Sequence, residues 1–453
     1  MEKHERACKP HVLVLPYPAQ GHINPMLQFS KRLVSKGVKA TLITTISISK
    51  FMPADPNSLI DVETISDGFD DGRSHDEDFL RSFKAVGSQT LTELIKKLKD
   101  SGVSINALIY DGFLPWALDA AKQFGVPGAL FFTQSCAVNS IYFYVKSGKL
   151  PVPLSEPTVS VPGLPLLKAS ETPSFVSSYG SYPSWTDIVL NQFSNIDEAD
   201  WVLLNTFYEL EKQEVDWMAK LWRLGTVGPT LPSMYLDKRL EDDKDYGINL
   251  LNPNKTACMS WLHNKPTGSV VYVSFGSMAE LGEEQMGEIA WGLKRSNCYF
   301  LWVVRALEQA KLPKNFIEET SDKGLVVPWC PQLEVLVHES IGCFVTHCGF
   351  NSVLEALCLG VAVVAVPQWT DQITNAKYVE DIWGTGIRTE ADGNGIVKRE
   401  EVEKCIKEVH EGETGKEMKK NAKKWKNLAK EAIDAGGSSE KNIDEFVAYL
   451  VSS

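Results

Sequence analysis

Residues 342–367 read GCFVTHCGFNSVLEALCLGVAVVAVP. "GCFVTH" is an apolar run of strand length, the run from Val353 to Leu359 suits a buried helix, and "VAVVAVP" is a second strand. Between the first two sit His347, Gly349, Asn351, Ser352 and Glu355. A helix start exposes unpaired N–H groups and the positive end of the macrodipole, and Gly349 lets a ligand approach the backbone closely. Asn351 and Ser352 are expected to cap the helix, and Ser352 with Glu355 has capping-box spacing. From these residues alone, an anion site and a plainly capped turn with a satisfied histidine remain equal readings.

The same alternation extends in both directions. Upstream, "SVVYVSFGS" (269–277) is a strand running into a Gly-Ser loop, and 283–296 is a helix. "YFLWVVR" and "GLVVPW" are further strands, and the tail from about Lys398 reads as helical. In the first half, 11–16, 39–45, 105–111 and 128–133 are strands, with a helix expected to start at Pro25. Strands alternating with helices imply parallel sheets covered on both faces. The expected fold is therefore α/β, with two Rossmann-like doubly wound domains facing a cleft. An N-terminal domain is expected over 1–230 and a charged, turn-rich linker over 231–255. A C-terminal domain is expected over 256–453, its last helix packing back on the first. Residues 151–183, rich in Pro and Ser, read as an ordered surface loop.

Composition excludes some functions. The 453 residues carry 46 basic and 58 acidic side chains, a net charge of −12, which disfavours phosphate-backbone binding, so no nucleic-acid partner is expected. No stretch approaches the ~20 apolar residues of a membrane span, and the N-terminus has no signal-peptide core. Nine cysteines without a C-x-x-C suggest free thiols in a reducing compartment. A cytoplasmic monomer is expected.

Two further features bear on chemistry. "SFGSM" (274–278) places more backbone N–H groups and the Ser277 hydroxyl at a strand end, so two N–H-rich loops in one half suggest a bound phosphate. No G-x-G-x-x-G or P-loop is present, and no acidic set marks a magnesium site. In the first half, His22 follows a strand and Asp111 ends one. If both strands share a sheet, the two emerge on one edge, where ligands of such folds bind. Asp111 as a helix cap and His22 as a structural residue remain the alternatives.

From Trp329 to Gln372, the 44 residues WCPQLEVLVHESIGCFVTHCGFNSVLEALCLGVAVVAVPQWTDQ resemble the signature box of plant UDP-dependent glycosyltransferases of secondary metabolism. The likeness covers nearly the whole chain, including "PYPAQGHINPM" near the start. It implies the GT-B architecture and an inverting transfer from UDP-glucose, without cofactor or metal, to a lipophilic small molecule. His22 would then be the base and Asp111 its partner. Trp329 would stack on uracil, and Gln332 and Glu355 would hold the ribose. His347, Gly349, Asn351, Ser352 and Ser277 would hold the diphosphate, and Asp371 and Gln372 the sugar. Phe113, Gln134, Tyr142, Phe193 and Met278 would line the acceptor site. A steroid or terpenoid alcohol is the expected acceptor; a phenolic or a carboxylate is the alternative. Phe350 and Ala362 depart from the family's usual Trp and Pro. A dinucleotide-dependent dehydrogenase is disfavoured by the missing glycine fingerprint, and a non-catalytic nucleotide-sugar binder by the pair His22 and Asp111.

Overall fold

The runs "HVLVL" and "VVYVS" lack polar alternation, and each is buried along its whole length, as central parallel strands under two helical layers must be. The computed structural model describes residues 9–52, 59–72, 77–248 and 254–452. In chain order its first nine strands are β1 (His11–Leu15), β2 (Lys39–Thr45), β3 (Ile60–Ile65), β4 (Ala107–Asp111), β5 (Gly128–Phe132), β6 (Thr158–Val159), β7 (Leu167–Lys168), β8 (Trp201–Leu204) and β9 (Leu224–Thr226). Seven form a parallel sheet in the order β3-β2-β1-β4-β5-β8-β9, and β6 pairs antiparallel with β7. The second sheet has β10 (Val270–Ser274), β11 (Tyr299–Val303), β12 (Gly324–Val327), β13 (Ile341–Thr346), β14 (Val363–Ala365) and β15 (Gly386–Arg388). Its order is β12-β11-β10-β13-β14-β15, again all parallel.

Each sheet reverses its winding once. In the first, the switch lies between β1 and β4, which pair with Leu15 opposite Tyr110. In the second it lies between β10 and β13, with Ser274 opposite Thr346. The carboxyl ends at these two points carry His22, Asp111, the loop after Ser274 and the turn at His347, the crevice position such sheets offer to ligands.

Three local expectations are corrected. The first helix runs Gln20–Ser35, so Pro25 is inside it, not at its start. The later helix runs Phe350–Leu359 with Gly349 at its N-cap and no side-chain cap, so Ser352 is inside the first turn and forms no capping box with Glu355. Residues 151–183 are more than a surface loop. They bury Val159, Val161, Leu167, Phe175 and Val176 in the first domain's core and bond to the second half.

The segment from Ser233 to Ile248 lies as a strap on the first helix. Arg32 Nη2 donates to Asp237 at 2.9 Å, Lys31 Nζ to Asp243 at 2.7 Å, Gln28 to the Asp245 carbonyl at 3.1 Å and Gln20 to the Ile248 carbonyl at 2.8 Å. The last helix, Ser438–Ser452, buries Ile443, Phe446 and Leu450 against the first sheet, and Asn106 donates to the Leu450 carbonyl. Among the described residues, no helix is long and apolar enough to cross a membrane.

Candidate active site

His22 sits in the first turn of the first helix, and its Nδ1 lies 2.7 Å from Asp111 Oδ2. Asp111 is 1% exposed, and its other oxygen accepts the Phe113 backbone N–H at 2.9 Å. Both carboxylate oxygens are thus held at the end of β4, fixing the imidazole with Nδ1 toward the acid. The Thr133 hydroxyl lies 3.2 Å from the same nitrogen, and the Tyr17 and Phe113 rings pack on the imidazole at 5.3 and 4.8 Å between centroids.

Across the cleft, two glycines make room for His347. A Cβ on Gly276 would lie 2.8 Å from the ring, and one on Gly349 would lie 2.6 Å from Nε2. Gly276 also has φ of +71°, a left-handed conformation unfavourable to other residues. Burial pushes the His347 pKa down to about 4, with a bond to the Ser274 backbone opposing, so the ring is neutral at pH 7. Behind the 275–279 loop, Arg305 donates to the Ser277 carbonyl at 2.6 Å and the Ala279 carbonyl at 2.8 Å, turning these acceptors away from the cleft. Arg305 lies outside every motif read from the sequence.

Gln332 bridges the next shell of groups. Its Nε2 donates to Glu355 Oε2 at 2.6 Å and Ser352 Oγ at 3.1 Å, while its Oε1 accepts from Tyr272 at 2.9 Å. Glu355 Oε1 accepts from the Tyr246 hydroxyl at 2.7 Å. Burial raises the Glu355 pKa, and the bonds from Gln332 and Tyr246 oppose that rise. Burial likewise raises that of Asp371, whose Oδ2 accepts from Asn375 at 2.7 Å. Gln372 uses its Oε1 on the Gln368 and Trp369 backbone N–H groups, which leaves its amide hydrogens to the cleft.

Asn351 makes a contact the motif did not foretell. Its Nδ2 donates to the Gly21 carbonyl at 2.6 Å, across the two domains. In a regular helix that carbonyl would receive the N–H four residues on, but residue 25 is proline and has none. Pro25 thus leaves an acceptor beside His22, and Asn351 takes it.

These groups surround one cleft of about 1950 Å3, mouth included. It brings together His22, Phe113, Gln134, Ser277, Met278, Trp329, Gln332, His347, Gly349, Asn351, Ser352, Glu355, Asp371 and Gln372. Asp111 stands behind His22. Tyr142 and Phe193 are not on its walls. Tyr142 is fully buried, and Phe193 packs among Phe132, Phe143 and Trp222 in the first domain's core. The cleft's aromatic and apolar walls include instead Tyr17, Phe175, Trp185, Val189 and Trp369. Trp369 belongs to the second half, and its ring lies 5.8 Å from that of Phe175 and 6.0 Å from that of Trp185. Phe350 lines the cleft beside Gly349 and is 4% exposed, while Ala362 is buried in the second core.

A family model described as UDP-glucoronosyl and UDP-glucosyl transferase matches residues 204–431. Mogroside I-E synthase of Siraitia grosvenorii is 50% identical over 97% of this chain and 98% of its own. The chain belongs to the UDP-glycosyltransferase family. This UDP-glycosyltransferase is also 48% identical to a flavonol 7-O-beta-glucosyltransferase of Arabidopsis thaliana, over 97% of this chain and 98% of that one. The crystal structure of Os79 from O. sativa with UDP superposes with a TM-score of 0.92 at 42% identity, covering 97% of this chain and all of that one. Os79 with U2F and trichothecene gives 0.89 at 40% identity, with the same coverage. The fold is thus GT-B, and the reaction class is transfer from a UDP-sugar to a small molecule.

Proposed function

We propose that this UDP-glycosyltransferase moves glucose from UDP-glucose to a hydroxyl of a bulky terpenoid or steroid alcohol, with inversion to a β-glucoside. The observation that carries the mechanism is the 2.7 Å pair of His22 Nδ1 and Asp111, facing two N–H-rich strand ends across one cleft. His22 Nε2 takes the acceptor proton as the oxygen attacks the anomeric carbon. Asp111 holds the tautomer and stabilises the imidazolium. Attack from the face opposite UDP inverts the centre.

The donor groups divide by chemistry. Trp329 offers a ring face to uracil, and Gln332 and Glu355 offer acceptors and donors to the ribose diol. His347, Ser277, Asn351, Ser352 and the uncapped N–H groups after Gly349 meet the charge that grows on UDP. Asp371 and the free amide of Gln372 meet the sugar hydroxyls. No metal takes part in this scheme, and the enzyme acts as a cytoplasmic monomer. The aromatic acceptor walls and the mogroside-forming relative support a bulky alcohol. A phenolic hydroxyl is the second reading, favoured by the flavonol-glucosylating relative.

The test is UDP release with UDP-glucose and a panel of triterpenoid, steroid and flavonoid acceptors, with products read by mass spectrometry. Triterpenoid or steroid glucosides are expected to dominate; flavonoid products alone would favour the second reading. His22→Ala is expected to abolish transfer while calorimetric UDP binding persists. Transfer above a tenth of the wild-type rate would rule His22 out as the base.

A further inference from the structure

Glu355 is reached by a donor that belongs to neither sheet. Tyr246 lies in the strap, outside the signature box, and its hydroxyl donates to Glu355 Oε1 while Gln332 holds Oε2. A carboxylate offers about four lone-pair positions. Two donors on opposite oxygens fix the plane of the group and leave two positions free. The backbone turns inward at this point: Gly247 has φ of +83° and donates to Asp245 Oδ1 at 2.8 Å, and the strap on either side is bonded to the first helix.

From this geometry we infer that Tyr246 is a positioning residue for donor recognition, whose hydroxyl holds the Glu355 carboxylate in the orientation that reads the ribose diol. The inference rests on the proposed role of Glu355. It adds that the orientation is set from the helix carrying His22, through the bonds of Gln20 and Gln28 to the strap. Supporting groups of this kind orient a ligand-binding carboxylate by taking its remaining acceptor sites. Without the hydroxyl, the carboxylate keeps only Gln332 and rotates about its last bond, so the diol loses a fixed acceptor pair while base and diphosphate contacts stay.

The experiment is calorimetric binding of UDP and of 2′-deoxy-UDP to the whole enzyme and to Tyr246→Phe and Glu355→Gln, with thermal melts confirming the fold. Tyr246→Phe keeps the ring that fills the site. It is expected to weaken UDP about fivefold to tenfold, the scale of one ordinary hydrogen bond, and to weaken 2′-deoxy-UDP, which keeps only one of the two hydroxyls, by less. The preference for the ribonucleotide therefore shrinks. Equal losses for both nucleotides would mean a structural role alone and would overturn the inference. An unchanged preference would overturn it as well, and so would tighter UDP binding, because the hydroxyl would then be competing with the ribose. If Glu355→Gln keeps the full preference, the ribose reading of Glu355 fails and takes the inference with it. If Glu355→Gln loses the preference but Tyr246→Phe keeps it, only the inference fails.

Discussion

His347 shows how neighbours set the space and the charge state of one cleft residue. Gly276 and Gly349 give it room, and burial keeps it neutral at pH 7. The unfolded imidazole takes up a proton near pH 6.5, the folded one only near pH 4. Between those values, falling pH favours the unfolded chain, and the site is at full stability above pH 6.5. Urea unfolding from pH 7 to pH 4 is expected to cost the wild type more than His347→Gln, with a difference on the order of 3 kcal/mol at pH 4. At this scale the sequence was informative about which residues line the cleft, because the signature box and the Gly-Ser loop both end at strand termini that face it. It was silent on Arg305 and Tyr246, which act through carbonyls and carboxylates far from them in the chain.

At the scale of elements, strands at the sheet centres were legible because burial on both faces demands unbroken apolar runs. Edge strands were not: "IDVETI" at β3 is half polar and exposed along its middle, and β9 and β15 have three residues each. Pro25 lies inside the first helix because the second half, through Asn351, supplies the partner that proline removes. That arrangement predicts a specific coupling. Asn351→Ala leaves the Gly21 carbonyl unpaired, at a cost of about 1–3 kcal/mol. Pro25→Ala returns an N–H to the helix, aimed at the same oxygen. The double variant is expected to be more stable than the sum of the singles by about 1 kcal/mol, measured by a denaturation cycle. Its turnover should fall nonetheless, because the second half no longer holds the turn that carries His22.

At the scale of the whole molecule, the domains are joined by buried polar contacts. Tyr378 donates to Glu214 at 2.6 Å, and Trp383 to the Leu210 carbonyl at 3.1 Å. Beside them Glu211 is 1% exposed, with one oxygen on the Ala137 N–H and the other unpartnered. Burial, with the nearby Glu214 charge, lifts its pKa to about 8. The folded chain therefore holds a proton that the unfolded chain releases near pH 4.5, and stability falls as pH rises from there toward 8. Glu211→Gln, which cannot ionise, is expected to remove this slope and to gain a few kcal/mol over the wild type at pH 8. Melting curves at pH 5 and pH 8 provide the comparison. None of this seam was legible in the sequence, since it depends on which helices meet.

The 151–183 segment has a practical consequence. Ser174 exchanges two hydrogen bonds with Thr370, through its own N–H to the Thr370 carbonyl at 2.9 Å and from the Thr370 N–H to its hydroxyl at 2.7 Å. Thr374 donates to the Glu171 carbonyl, and Lys377 and Arg388 pair with the Glu171 carboxylate. The first half thus grips the loop that presents Asp371 and Gln372 to the cleft. A chimera that swaps the first 230 residues with a relative's, cut at the linker, is expected to disturb the 370–372 turn as well, because its partners at 171–174 go with the exchanged half. Exchanging that half without disturbing the turn requires the graft to preserve residues 171–174 as part of the recipient.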